Sequence, residues 1–166
     1  MLSVKLIAGF VNKVLLPTFD QPVPIPAFHI DLWNRCTSNS RFVALACPRG
    51  LAKSTAITLS LTLANLLFRE KRYVIVVSDT EEQAVEFLSA MKTQIKENQE
   101  LKNRFPILQF TKDGSTDFIV EMVDGHKFRV LAKGAGQKVR GRLWNNTRPD
   151  LIVIDDLEND EMVESL

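Results

Sequence analysis

Three groups of residues have the types and spacing that chemistry needs. The first is "ACPRGLAKST", residues 46–55, in which Lys53, Ser54 and Thr55 follow Pro48, Arg49, Gly50, Leu51 and Ala52. A phosphate-binding loop needs backbone N–H groups converging on an anion, a helix N-terminus behind them, a lysine for the phosphate oxygens and a hydroxyl for Mg²⁺. Lys53 and Ser54 supply the last two. The usual spacing places glycines where this chain has Cys47 and Ala52, so Gly50 alone offers a permissive backbone. Taken alone, the stretch fits equally well a Pro-Gly turn whose serine caps an ordinary helix.

The second group lies about 100 residues further on, where "DLIVIDD" ends in Asp155 and Asp156. In a nucleotide-hydrolysing site the first such carboxylate holds the Mg²⁺ shell and the next polarises the attacking water. Alone it also fits a turn at the end of a strand. The third group is the loop "KGAGQKVRGR", which with Arg148 gathers Lys133, Lys138, Arg140 and Arg142. Its arginines suit either the γ-phosphate of a neighbouring subunit or a DNA backbone, and a solvated charge run is the plain alternative. A lysine-serine loop and a carboxylate-tipped strand together point to ATP with Mg²⁺.

These residues need elements to hold them. "RFVALAC" reads as a buried parallel strand ahead of the loop, and "STAITLSLTLANLLFRE" as a buried helix behind it. "YVIVVSD" is a second buried strand, followed by the helix "TEEQAVEFLSAMKTQIKENQ" with Thr80 as N-cap and acidic residues in its first turn. "DFIVEMVDGHKFRVLA" breaks the βα rhythm, because Asp124-Gly125 between two β-rich runs signals a two-residue hairpin. "DLIVI" is a further buried strand.

At the N-terminus, Leu2, Leu6, Phe10 and Val14 recur every four residues and predict a short amphipathic helix. Lys5 and Lys13 interrupt the stretch, and without a small-residue cleavage site it is not read as a secretion signal. Pro17, Pro22, Pro24 and Pro26 then mark an extended connector, and a short helix starts at "AFHIDLWN", with Phe28 and Trp33 read as core. The expected organisation is residues 1–26 as helix and connector and 27–166 as one α/β domain: a P-loop-type, mainly parallel sheet flanked by helices, with a β-hairpin insertion.

The 166 residues, 45% apolar and 25% charged, suit a globular chain and exclude the disordered and collagen-like classes. The 21 basic and 20 acidic residues leave a net charge of +1, so contact with nucleic acid has to come from local clusters. Cys36 and Cys47 have no metal-ligand spacing and are too few for a disulfide framework, which favours a reducing compartment. No run is long enough to span a membrane.

"PRGLAKST", "VVSDTEEQA" and "RPDLIVIDDLENDE" together resemble the large terminase subunits of tailed bacteriophages, over most of residues 22–164. The resemblance implies an ATPase domain that drives double-stranded DNA into a capsid. It implies a homo-oligomeric motor working with a portal and a small terminase subunit at the procapsid in the host cytoplasm. By position, Lys53 would contact the β- and γ-phosphates, Thr55 the α-phosphate region, Ser54 the Mg²⁺, and Asp155 the metal shell through water. Many such ATPases have Glu after the metal-binding Asp. Here Asp156 stands there with Glu158 two places on, and both are candidates to orient the water. Arg49 matches a loop arginine found in these motors and could sense the γ-phosphate or stand as a solvent-exposed loop residue, and Arg140 is the candidate finger, with Arg142 and Arg148 as alternates. Relatives place Gln before the first strand to read adenine; this chain offers His29, whose ring could stack or donate, or simply pack. A coupling motif, further strands and a nuclease domain would be expected after Leu166, so the resemblance implies an incomplete piece of such a motor. The competing readings are another nucleic-acid-dependent P-loop ATPase such as a helicase, and a nucleotide-binding module without turnover.

Overall fold

The structure, a computed structural model, describes residues 2–48 and 50–156. The chain divides into two compact units, Met1–Glu70 with Thr93–Phe105, and Lys71–Lys92 with Pro106–Leu166.

The first unit is helical. Helix α1, Val4–Phe10, starts at Ser3, whose hydroxyl accepts the Leu6 N–H, and continues through wide π-type turns at Val11–Leu15. Its buried residues are Ile7, Phe10, Val11, Val14 and Leu15, whereas Leu6 is 43% exposed. The expected four-residue stripe therefore holds only in part. Steps of four drift around a 3.6-residue helix, while steps of three and four keep one face inward. Extended residues lead to α2, Ala27–Cys36, which packs on α1. A second run of π-type turns, Thr55–Leu61, passes directly into α3, Thr62–Leu67. Two side chains enter this helix's ladder: the Trp33 indole Nε1–H donates to the Ala56 carbonyl at 2.9 Å, and Thr62 Oγ1 to the Ile57 carbonyl at 3.3 Å. Competing donors of this kind loosen an α-helix locally. Trp33 is fully buried, as expected of a core residue.

Helix α4, Glu81–Glu97, is followed by α5, Gln99–Arg104. Thr80 caps α4 by accepting the Gln83 N–H at 3.2 Å. Asn98 caps α5 and also donates to the Val14 carbonyl at 2.7 Å, tying α5 to the end of the N-terminal helix.

The second unit is built on a five-stranded sheet in the order β2-β3-β4-β1-β5, formed by β1 (Tyr73–Ser78), β2 (Ile107–Asp113), β3 (Asp117–Met122), β4 (Lys127–Gly134) and β5 (Leu151–Ile154). β1 runs parallel to β4 and β5, but β2-β3 and β3-β4 are antiparallel, so the sheet is mixed and not mainly parallel. Short connections force this outcome: strands joined by a few residues can only reverse direction. The hairpin at Asp124-Gly125 forms, with Gly125 at φ 84°, but its connection spans residues 123–126 and closes with the Met122 N–H on the His126 carbonyl at 2.8 Å.

Two expected strands differ from their readings. Residues 41–47 form no strand, and Phe42 is 84% exposed there. An apolar run becomes a strand only where a neighbour takes its N–H and C=O groups. β5 forms, but at the sheet edge, with Ile152 and Ile154 exposed and Val153 buried.

A charged clamp fixes the start of β3. Asp117, 6% exposed, accepts from Arg129 Nε at 2.8 Å and Nη2 at 2.6 Å, and from Lys112 Nζ. Burial pushes the Asp117 carboxyl up, but these hydrogen bonds and charges outweigh it and hold it below its ordinary value. The Arg129 guanidinium also lies 5.2 Å from the centre of the Tyr73 ring.

Candidate functional site

The lysine-serine loop belongs to the first unit. Gly50 at φ 82° and Ala52 at φ 50° both adopt the left-handed conformation, so the chain turns twice within three residues before the helix begins. Ala52 stands where the usual phosphate loop has glycine, and its backbone takes the conformation glycine favours. The first helical bond is the Ala56 N–H to the Ala52 carbonyl at 3.0 Å. The amides of Lys53, Ser54 and Thr55 therefore lie in the first turn, ahead of any intrahelical bond, where positive backbone ends gather. Ser54 is itself helical, at φ −62° and ψ −40°, and its side chain makes no capping hydrogen bond. The capped-turn reading of "PRGLAKST" required that bond.

Two residues of α2 hold this loop and helix from behind. His29 Nε2 lies 3.0 Å from the Leu51 carbonyl, which makes Nε2 the protonated ring nitrogen of that contact. Trp33 grips Ala56 one turn further on. Pro48 lies at the entry to the turn, and Arg49 lies outside the described residues. The link from Trp33 to the loop's helix carried no sequence signal, since a buried indole reads as core whether or not its N–H has a partner.

The carboxylates belong to the second unit. Three parallel strands, β4, β1 and β5, finish on one edge of the sheet, at Gly134, Ser78 and Ile154. Asp155 follows directly, 4% exposed, with its N–H on the Val77 carbonyl at 2.9 Å. Asp156 is exposed and left-handed at φ 55°, and its carbonyl accepts the Asp79 N–H at 3.1 Å. The two adjacent acids are thus placed differently: one is withdrawn against the strand ends and the other is turned outward. Glu158 lies outside the described residues. Among the described residues no three His, Cys, Asp or Glu side chains gather closely enough to hold a metal by themselves.

The basic loop leaves the same edge of the sheet, from the end of β4. The Ala135 N–H bonds the Ser78 carbonyl at 2.8 Å, and Gly136 and Gly141 take φ of 80° and 76°. Lys138, Arg140, Arg142 and Arg148 are exposed, and among the described residues none of them has an ion-pair partner. Lys133 instead approaches Glu81 at 3.9 Å. Trp144 anchors the loop: its ring meets Tyr73 edge-on at 6.0 Å, and the Arg72 guanidinium lies 5.7 Å from its centre.

In kind, the loop's first-turn amides, its ammonium group and a hydroxyl not used for capping suit phosphate oxygens, and in the other unit the strand tip carries a buried carboxylate of the type that suits Mg²⁺. Both cysteines are free thiols, and burial pushes the Cys36 thiol up, which disfavours its thiolate. Among the described residues no helix is long and apolar enough to cross a membrane. Compared with protein-family models, curated proteins and solved structures, the chain matches none.

Proposed function

We propose that this chain binds and hydrolyses Mg-ATP as the motor domain of a viral DNA-packaging terminase. In this reading Lys53 and the loop from Pro48 to Ala52 hold the phosphates, with Ser54 and Asp155 on the Mg²⁺ and Asp156 or Glu158 on the attacking water. One observation carries the reading: the left-handed pair Gly50 and Ala52 delivers Lys53 and Ser54 at a helix start whose serine hydroxyl is not spent on capping. A carboxylate just past the ends of parallel strands adds support, because open α/β sheets bind ligands at that edge.

Binding without turnover is the second reading. It is favoured by residues 41–47, which form no strand ahead of the loop, and by the glycine positions taken by Cys47 and Ala52. Calorimetry with Mg-ATP beside a phosphate-release assay separates the two. We expect heat of binding in the parent and its loss in Lys53→Ala. Equal affinity in both proteins rejects both readings, and binding with no release under DNA stimulation leaves the second.

A further inference from the structure

Helix α1 leaves a groove of about 440 Å³ in the first unit, between itself and the aromatic pair Phe68 and Phe105. Its floor is a trio of rings meeting edge to face: Phe10 to Phe68 at 5.8 Å, Phe10 to Phe105 at 5.9 Å and Phe68 to Phe105 at 5.2 Å. Leu6 stands on the wall, 43% exposed. At Gly9 an added Cβ would meet nothing within 4 Å, so the helix opens here onto free space.

The rim is basic. Lys5, Lys13 and Arg104 all border the groove. Arg104 is paired with Glu100 at 3.0 Å, but among the described residues no carboxylate pairs with Lys5 or Lys13. These lysines are eight residues apart along the helix, about two turns. An apolar floor between two spaced cations matches a helix that brings apolar side chains on one face and carboxylates on its flanks. A lipid surface fits less well. The apolar stripe of α1 is already used by the core, and what remains is concave, which suits a ridge of side chains better than a flat bilayer.

We propose that this groove docks an acidic amphipathic helix of a partner protein. The proposal does not depend on nucleotide binding. The probe is a fluorescein-labelled synthetic peptide with Leu and Phe at positions i, i+3, i+4 and i+7 and Glu elsewhere, followed by fluorescence anisotropy. It should bind, and binding should weaken as salt rises. Gly9→Leu fills the groove and replaces a poor helix former, so it should melt at or above the parent temperature while losing affinity about tenfold or more. Lys5→Glu with Lys13→Glu should lose about as much without touching the apolar floor. Equal binding of the same peptide with Lys in place of Glu, or unchanged binding in Gly9→Leu, overturns the proposal. So does a dimer in sedimentation that Gly9→Leu converts to monomer, which assigns the groove to a second copy. Capture by phosphatidylserine vesicles that the peptide fails to displace assigns it to a membrane.

Discussion

Ala52 is the residue at which local backbone strain and chemistry meet. A residue with a Cβ held at φ 50° costs about 1–2 kcal/mol relative to ordinary helical or extended backbone, and glycine escapes that cost. Ala52→Gly should therefore stabilise the chain by about 1 kcal/mol in urea unfolding, after the extra freedom that glycine brings to the unfolded chain is set against the strain relieved. Ala52→Val should destabilise it, because a β-branched side chain tolerates this region least. If both variants unfold at the parent midpoint, the left-handed turn is absent. Asp117 gives a second test. Its carboxyl is held below the ordinary value, so its clamp is intact above that value and is lost as pH falls through the lower, folded one. Parent stability should fall with acid across that window, and Asp117→Asn should flatten the fall while costing about 2 kcal/mol at neutral pH. An unchanged acid limb in Asp117→Asn would exclude the clamp as its source.

At the scale of elements, legibility followed how far each segment carries its own determinants. Tyr73–Ser78 is buried along its whole length and Glu81–Glu97 has its cap in Thr80, so both could be read from residues in order. The hairpin was signalled by Asp124-Gly125, but the length of its turn depends on where pairing stops, and with β3 ending at Met122 and β4 starting at Lys127 the connection has four residues, 123–126. Ile107–Asp113 is mostly exposed and offers no such pattern; only its pairing with β3 makes it a strand. The run at 41–47 misled for the opposite reason, since apolar composition says nothing about whether a neighbouring strand is there to pair with. In the candidate site the motif residues were legible by spacing, whereas the contacts of His29 and Trp33 behind the loop arise from tertiary packing. Gly134 shows how closely elements can meet. A Cβ there would lie 2.8 Å from the Glu81 nitrogen and 3.3 Å from the Thr80 carbonyl carbon, both backbone atoms that cannot rotate away. Gly134→Ala should push the end of β4 from the start of α4 and cost about 1–3 kcal/mol, read as a lower urea midpoint with an unchanged slope. An unaltered midpoint would mean that the two elements are not in this contact.

For the molecule as a whole, the net charge of +1 makes the basic loop conspicuous, because a chain so nearly neutral exerts little overall attraction on nucleic acid. Lys138, Arg140, Arg142 and Arg148 are exposed on one connection between β4 and β5, which makes that connection the candidate contact for DNA or for a neighbouring subunit's nucleotide. The two roles differ in what an alanine removes. A cation on a DNA phosphate releases about one counterion, so its loss lowers the salt dependence of binding by about one in slope and weakens all sequences alike. A cation that meets charge developing on a transferring phosphoryl group acts chiefly in the transition state, so its loss lowers turnover and leaves ATP affinity in place. On the proposed function, Arg140→Ala is expected to follow the second pattern: DNA-stimulated phosphate release falls about a hundredfold or more while calorimetric ATP affinity holds. Arg140 lies between Gly136 and Gly141, both left-handed, in a loop that packs on the sheet through Val139 and Trp144, and its own side chain is exposed. Because the arginine is then supplied by one subunit and the phosphate cradle by the next, mixing Arg140→Ala with Lys53→Ala protein should recover part of the turnover that neither shows alone. Mixed assemblies without recovery, or a reduced salt slope in Arg140→Ala with hydrolysis intact, would move this arginine to the DNA track and leave Arg142 and Arg148 to be tested as the finger.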